Sequence, residues 1–149
     1  ADFSAIEARV IAYLAGEQWR LEVFKTHGKI YEASASQMFH VPIESIHKGD
    51  PLRQKGKIAE LALGYGGSVG AMVSMGALKM GIDEEELQGI VDKWRSSNPA
   101  ITAFWRTVEN AAIKAVEGYP GKIRHDISFY KTVEYSFYRS AVGKKNRLR

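Results

Sequence analysis

Apolar residues recur at helical spacing along most of the chain, and glycines or prolines punctuate each run. In residues 5–15, Ile6, Val10, Tyr13 and Leu14 fall on one face and the run stops at Gly16, which predicts an amphipathic helix. A short helix over 18–26 is expected to end at Gly28, and another over 30–39 ends before Val41-Pro42. Asp50 as N-cap and Pro51 at the first helical position open a helix over 51–65. Gly64, Gly66, Gly67 and Gly70 then loosen the backbone, and a further short helix is expected over 71–79, ending at Gly81. Asp83 followed by Glu86 reads as a capping-box start, and Leu87, Ile90, Val91 and Trp94 continue at i, i+3, i+4, i+7 spacing. Asn98-Pro99 repeats the cap-plus-proline pattern for a long helix over 99–117, with Phe104, Val108, Ala111 and Ala115 inward and Gly118 as its stop. After Tyr119-Pro120-Gly121 the period shortens to two, through Ile123, Ile127 and Phe129 to Val133, Tyr135 and Phe137, which predicts one or two strands. The fold class is therefore mainly α, with a short β element where the chain starts and a C-terminal strand or hairpin.

Composition narrows this picture. The 149 residues suffice for one domain with a core, and 45% hydrophobic with 26% charged residues is ordinary for a soluble globular protein. No apolar run approaches the ~20 residues of a membrane span. The absence of cysteine excludes disulfides and thiolate metal sites and fits a reducing compartment. The chain opens Ala-Asp-Phe-Ser without an initiator methionine, so a piece of something longer is expected. The net charge of +4 is uneven: residues 122–149 hold eight Lys/Arg against two acids, a local +6 on a body of −2. That basic tail reads equally as a nucleic-acid contact or a solvated end.

The helix over 51–65 raises an electrostatic question. Arg53, Lys55 and Lys57 crowd its first turns, where the helix dipole already disfavours cations. Such an end suits an anion, and phosphate is the commonest biological one. Arg53, Lys57, Leu61 and Tyr65, spaced by four, form a stripe that drifts about 40° per step and runs ~18 Å along the axis. Cations, an apolar middle and an aromatic tip match the polyphosphate, sugar and base of a nucleoside triphosphate. An amphipathic helix with surface bases explains the same spacing equally well. At the chain start, Asp2 and Glu7 could together hold a divalent cation, although Asp2 serves equally as an N-cap.

Together these segments resemble the family A DNA polymerases, the DNA polymerase I type, and most of all their phage-like members. "DFSAIEAR" at 2–9 is similar to motif A, Asp-aromatic-Ser-x-Ile-Glu-x-Arg. "RQKGKIAELALGYG" at 53–66 is similar to motif B, Arg-x3-Lys-x7-Tyr-Gly, at every defining position. The resemblance covers about 2–120 and implies three stretches: 1–16 as the motif A strand and helix of the palm, 17–121 as a helical fingers subdomain, and 122–149 as a basic tail. It implies that Asp2, with the backbone carbonyl of Phe3, holds catalytic Mg²⁺, and that Glu7 stands beside the sugar and excludes ribonucleotides. Arg53 and Lys57 would clamp the β- and γ-phosphates of an incoming dNTP, with Lys57 counted among the catalytic groups. Tyr65 would stack near the templating base, with Gly66 giving the backbone room. The misplaced cations would then be neutralised by triphosphate.

The departures matter as well. The mid-helix aromatic that packs against the incoming nucleotide is Leu61 here, motif A's usual Gln is Ala5, and Tyr31 replaces a phosphate-assisting histidine. Two-metal transfer needs a second carboxylate segment; "RHDIS" at 124–128 imitates that motif C, but it has Ile127 in place of an acid and lies too close to motif B. The chain alone is therefore expected to be inactive, its partners being dNTP, primer-template DNA and the remaining palm and thumb, in the cytoplasm of a bacterial cell or phage-infected host. His27, His40, His47 and His125 lack metal-site spacing, and Trp94, Phe104 and Trp105 read as core. A non-catalytic helical nucleic-acid-binding module using Arg53, Lys57 and the tail, or a scaffold retaining the motifs, are the competing readings.

Overall fold

Seven α-helices form among the described residues: α1 (Ile6–Ala15), α2 (Gln18–Lys25), α3 (Ile30–Phe39), α4 (Pro51–Leu63), α5 (Val69–Ser74), α6 (Glu84–Ser97) and α7 (Pro99–Val116). The structure, a computed structural model, describes residues 5–131 in full and the backbone of 136–139 and 145–147. The β element expected where the chain starts lies outside the described residues, as do Asp2 and Phe3. The chain divides into two compact units, Ala1–Thr102 and Ala103–Arg149, with α7 contributing to both.

In the first unit α3 packs most extensively on α4, and α6 lies against both. Met38 and Ala35 of α3, Ile58 and Leu63 of α4, and the predicted row Leu87, Ile90, Val91 and Trp94 of α6 are all buried. The start of α4 is as predicted. The Asp50 carboxylate accepts from Leu52 N–H at 2.7 Å, with Pro51 in the first turn.

Other expectations need correction. The apolar face foreseen on α1 stands open within this chain, with Ile6, Val10 and Tyr13 at least 43% exposed. Its buried residues are the small Ala12 and Ala15, and its packing partner is α2. The N-cap position of α1 is Ala5 in a left-handed conformation, φ 54°, and Asp2, the cap candidate, lies outside the described residues. The helix expected over 71–79 is two pieces, α5 and a 3-10 turn at Leu78–Met80, separated by Gly76 at φ 87°. Only half of the capping box forms at Asp83: its side chain makes no capping hydrogen bond, while the Glu86 carboxylate accepts from the Asp83 backbone amide and also pairs with Lys55 at 2.7 Å.

Asn98 does not cap α7 with its side chain. Its amide donates to Trp94 O at 2.7 Å and its Oδ1 accepts from Arg20 at 2.9 Å. The first amides of α7 are taken by Glu17, whose Oε2 accepts from Ala100 N–H at 2.9 Å and Ile101 N–H at 3.3 Å. A full charge suits the positive end of a helix better than a neutral amide, which frees Asn98 for the buried guanidinium.

In the second unit Ala111 and Ala115 are buried as predicted, while Phe104, Trp105 and Val108 are half-buried. The expected one or two strands are four short ones in an antiparallel sheet of order β1-β2-β3-β4. They are β1 (Gly121–Lys122), β2 (Ser128–Lys131), β3 (Ser136–Arg139) and β4 (Lys145–Arg147). Ile123 and Ile127 fall in the turn between β1 and β2 rather than in a strand, and Val133 and Tyr135 lie outside the described residues.

Candidate functional site

Helix α4 is buried on nearly every side. Gly56, Ile58, Ala59, Glu60, Ala62 and Leu63 all face protein, and Arg53, Lys57 and Leu61 share the more open side opposite them with Gln54. An amphipathic helix presents to solvent what that open side carries. The predicted stripe of four is shortened at its far end: α4 stops at Leu63, so Tyr65 stands in the following turn, 75% exposed. The break follows from Gly66 at φ 80°, a conformation that glycine adopts at no steric cost.

Tyr65 closes a groove of about 330 Å³ opposite α1. Its walls are Ile6, Glu7, Val10, Ile11 and Leu14 of α1, Arg20 of α2, and Glu60, Gly64 and Tyr65 at the end of α4. Two residues more than fifty positions apart in sequence, Glu7 and Tyr65, thus border one space. Neither residue was tied to the other by its spacing alone.

The cationic end is organised differently from the expectation. Arg53 Nε donates to Glu32 Oε1 at 2.7 Å, and its guanidinium lies 5.6 Å from the centre of the Tyr31 ring. Lys55 pairs with Glu86 at 2.7 Å. Lys57 makes no ion pair or hydrogen bond with any described residue. Two of the three cations are therefore neutralised by acids of this chain, and no bound anion is needed to explain them at the dipole's positive end. Tyr31, expected as a hydroxyl donor to phosphate, lies with its ring against the guanidinium.

Burial alone would push the Glu32 carboxyl up. The hydrogen bond from Arg53, a backbone amide and the charges of Arg53 and Lys29 outweigh it and hold the carboxyl below its ordinary 4.5. A depressed carboxylate stabilises the fold above its unfolded pKa and loses that contribution as pH falls through the folded value. The stability difference between the wild-type chain and Glu32→Gln, about 1 kcal/mol, is expected to hold from neutral pH to about pH 5 and to shrink in more acid solution. Urea unfolding of both proteins across that range measures it, and a difference unchanged at about pH 3 contradicts it.

A site for Mg²⁺ cannot be assembled from what is described. No group of three or more His, Asp or Glu side chains converges among the described residues. The expected ligands Asp2 and Phe3 lie outside them. No helix among the described residues is long and apolar enough to cross a membrane.

Three residues central to the site escaped sequence reasoning. Glu32 sits next to Tyr31 but 21 residues from its partner Arg53. Glu60, an acid among buried apolar neighbours of α4, takes Arg20 Nη1 and Trp94 Nε1, each at 2.9 Å, on one carboxylate oxygen. Its other oxygen takes Arg20 Nη2. Gly56, a lone glycine inside a helical run, lies close against α3. A Cβ there would lie 2.3 Å from Tyr31 O and 3.1 Å from Ala35 Cβ. An acid on an apolar face and an interior helical glycine were the available signals.

The family model described as "DNA polymerase family A" matches residues 1–126. The chain belongs to DNA polymerase family A. It is 67% identical over 130 residues to a DNA polymerase of Bacillus phage SP02, a match covering 87% of this chain and 20% of that protein. It is 32% identical over 113 residues to DNA polymerase I of Pseudomonas aeruginosa, covering 75% of this chain and 12% of the relative. With the thermostable DNA polymerase I of Thermus aquaticus the identity is 31% over 103 residues, 69% of this chain and 12% of the relative. The chain thus spans a fifth or less of the length of these relatives.

Proposed function

We propose that this chain is the fingers region, with the start of the palm, of a DNA-directed DNA polymerase, and that its α4 strip binds the triphosphate of an incoming dNTP. The observation that carries the reading is that the side of α4 opposite its buried face holds Arg53, Lys57 and Leu61 in motif order, with Tyr65 just beyond. Arg53 and Lys57 take the β- and γ-phosphates, Leu61 lies against the nucleotide, and Tyr65 and Gly66 border the base with Glu7 beside the sugar. Tyr31 serves this site by supporting Arg53. The division into palm (1–16), fingers (17–121) and basic tail (122–149) belongs to the same reading.

In the complete enzyme Asp2 and the Phe3 carbonyl would hold Mg²⁺, which would supply charge stabilisation for phosphoryl transfer, and primer-template DNA and the remaining palm and thumb would complete the catalytic centre. The chain by itself lacks a second carboxylate segment and does not extend a primer. Transfer of a nucleotide depends on holding the phosphates in line, and that is the part this chain supplies.

Titration with each of the four dNTPs tests the reading. Arg53→Ala and Lys57→Ala are each expected to weaken binding about tenfold, the scale of one lost charge-assisted contact of ~1.4 kcal/mol, with little dependence on the base. Unchanged binding in both variants contradicts it. Absent dNTP binding beside oligonucleotide binding with a steep salt dependence favours a nucleic-acid-binding module instead.

A further inference from the structure

We infer that Glu32 is the positioning residue of Arg53: it holds the guanidinium by its Nε edge and leaves the two terminal nitrogens free to grip phosphate. The inference rests on the reading of Arg53 and Lys57 as a triphosphate grip.

The contact geometry supports a holding role. Arginine and carboxylate commonly pair through two parallel hydrogen bonds. Here one bond forms, from Nε to Glu32 Oε1 at 2.7 Å, and neither Nη of Arg53 meets an acceptor among the described residues. The fork that matches phosphate is thus left available while its base is fixed. The Tyr31 ring, 5.6 Å from the guanidinium carbon, restrains the group from a second direction.

The backbone sets this register. Gly56, one turn after Arg53, lets α4 approach the carbonyl of Tyr31, the residue before Glu32, more closely than any side chain would allow. Arg53 and Glu32 therefore meet beside this close helix contact, and their side chains are only 22% and 14% exposed. A long, flexible arginine held in this way loses less freedom when phosphate arrives, since its ordering is already complete.

The carboxylate also has a cost for binding, because its charge opposes phosphate. The two effects separate by substitution. Glu32→Gln keeps an oxygen for Nε–H and removes the charge, whereas Glu32→Ala removes both. Titration of the 149-residue chain with dATP and with inorganic tripolyphosphate is expected to show binding about fivefold weaker in Glu32→Ala and no weaker than wild type in Glu32→Gln. In an Arg53→Ala background, Glu32→Ala should cause no further loss of binding, since only the repulsion of its charge is then removed. Wild-type affinity in Glu32→Ala, or the same loss in both backgrounds, overturns the inference. If Arg53→Ala itself binds like wild type, the triphosphate reading has failed and the inference falls with it.

A second measurement does not require any variant to fold. The Arg53 Nε–H resonance should stay displaced from its free-arginine position when tripolyphosphate saturates the wild-type chain. Its return to that position would show that the anion displaces Glu32, which overturns the inference.

Discussion

Replacing Glu60 with alanine is expected to lower unfolding free energy by about 3–5 kcal/mol, the scale of breaking a buried ion pair from one side. The cost arises because Arg20 stays charged and fully buried, its side chain 0% exposed. Glu60 binds both Nη groups of Arg20 and the indole N–H of Trp94. Asn98 Oδ1 would remain as the acceptor for Nη1. These residues join α2, α4 and α6 to the residue preceding α7, so the loss is not local to one helix. In a chain of this size, whose total stability is on the order of 5–15 kcal/mol, such a loss removes a large fraction of it. Chemical denaturation monitored by circular dichroism measures it. The double change Arg20→Leu with Glu60→Leu should recover part of the loss, because no uncompensated charge is then buried. A single Glu60→Ala effect below about 1 kcal/mol contradicts the assignment.

The second large effect concerns Gly56. Alanine in a helix interior ordinarily stabilises by up to about 1 kcal/mol over glycine. At Gly56 the sign should reverse. A Cβ would stand 2.3 Å from the Tyr31 carbonyl oxygen, a backbone atom that cannot rotate away. Helices α3 and α4 must separate, at about 1–3 kcal/mol for overpacking, and the Arg53–Glu32 contact is stretched with them. Gly56→Ala is therefore expected to lower thermal stability and weaken dNTP binding together. Gly89 of α6 provides the control, since a Cβ there meets nothing within 4 Å, and Gly89→Ala should stabilise. Stabilisation by both substitutions contradicts the close approach.

The contrast between legible and illegible features has a physical basis. The buried row Leu87, Ile90, Val91 and Trp94 and the Asp50-Pro51 start of α4 depend on neighbours within a turn, so spacing and residue type reveal them. The end of α4 was misplaced because Tyr65 continues the four-residue period, whereas the glycines around it set the backbone. Charge pairing was not legible. Glu32 and Glu86 reach Arg53 and Lys55 across 21 and 31 residues, and Glu60 reaches Arg20 across 40.

Those long-range pairs also change the electrostatic account of the site. The crowd of cations looked as though it required an external anion, yet the fold supplies acids for two of them. What remains distinctive is placement, with Arg53, Lys57 and Leu61 together on the side of α4 opposite its buried face. Of the proposed site residues, Glu7, Tyr31, Arg53, Lys57, Leu61, Tyr65 and Gly66 lie within the described structure, while Asp2 and Phe3 lie outside it.

Chemical-shift mapping of the isotope-labelled chain during titration with dATP tests the nucleotide grip most directly. The largest changes are expected in the first two turns of α4, at Tyr31 and around Tyr65, with a similar pattern for the other three dNTPs. Changes confined to residues 122–149, with α4 unmoved, would contradict the account.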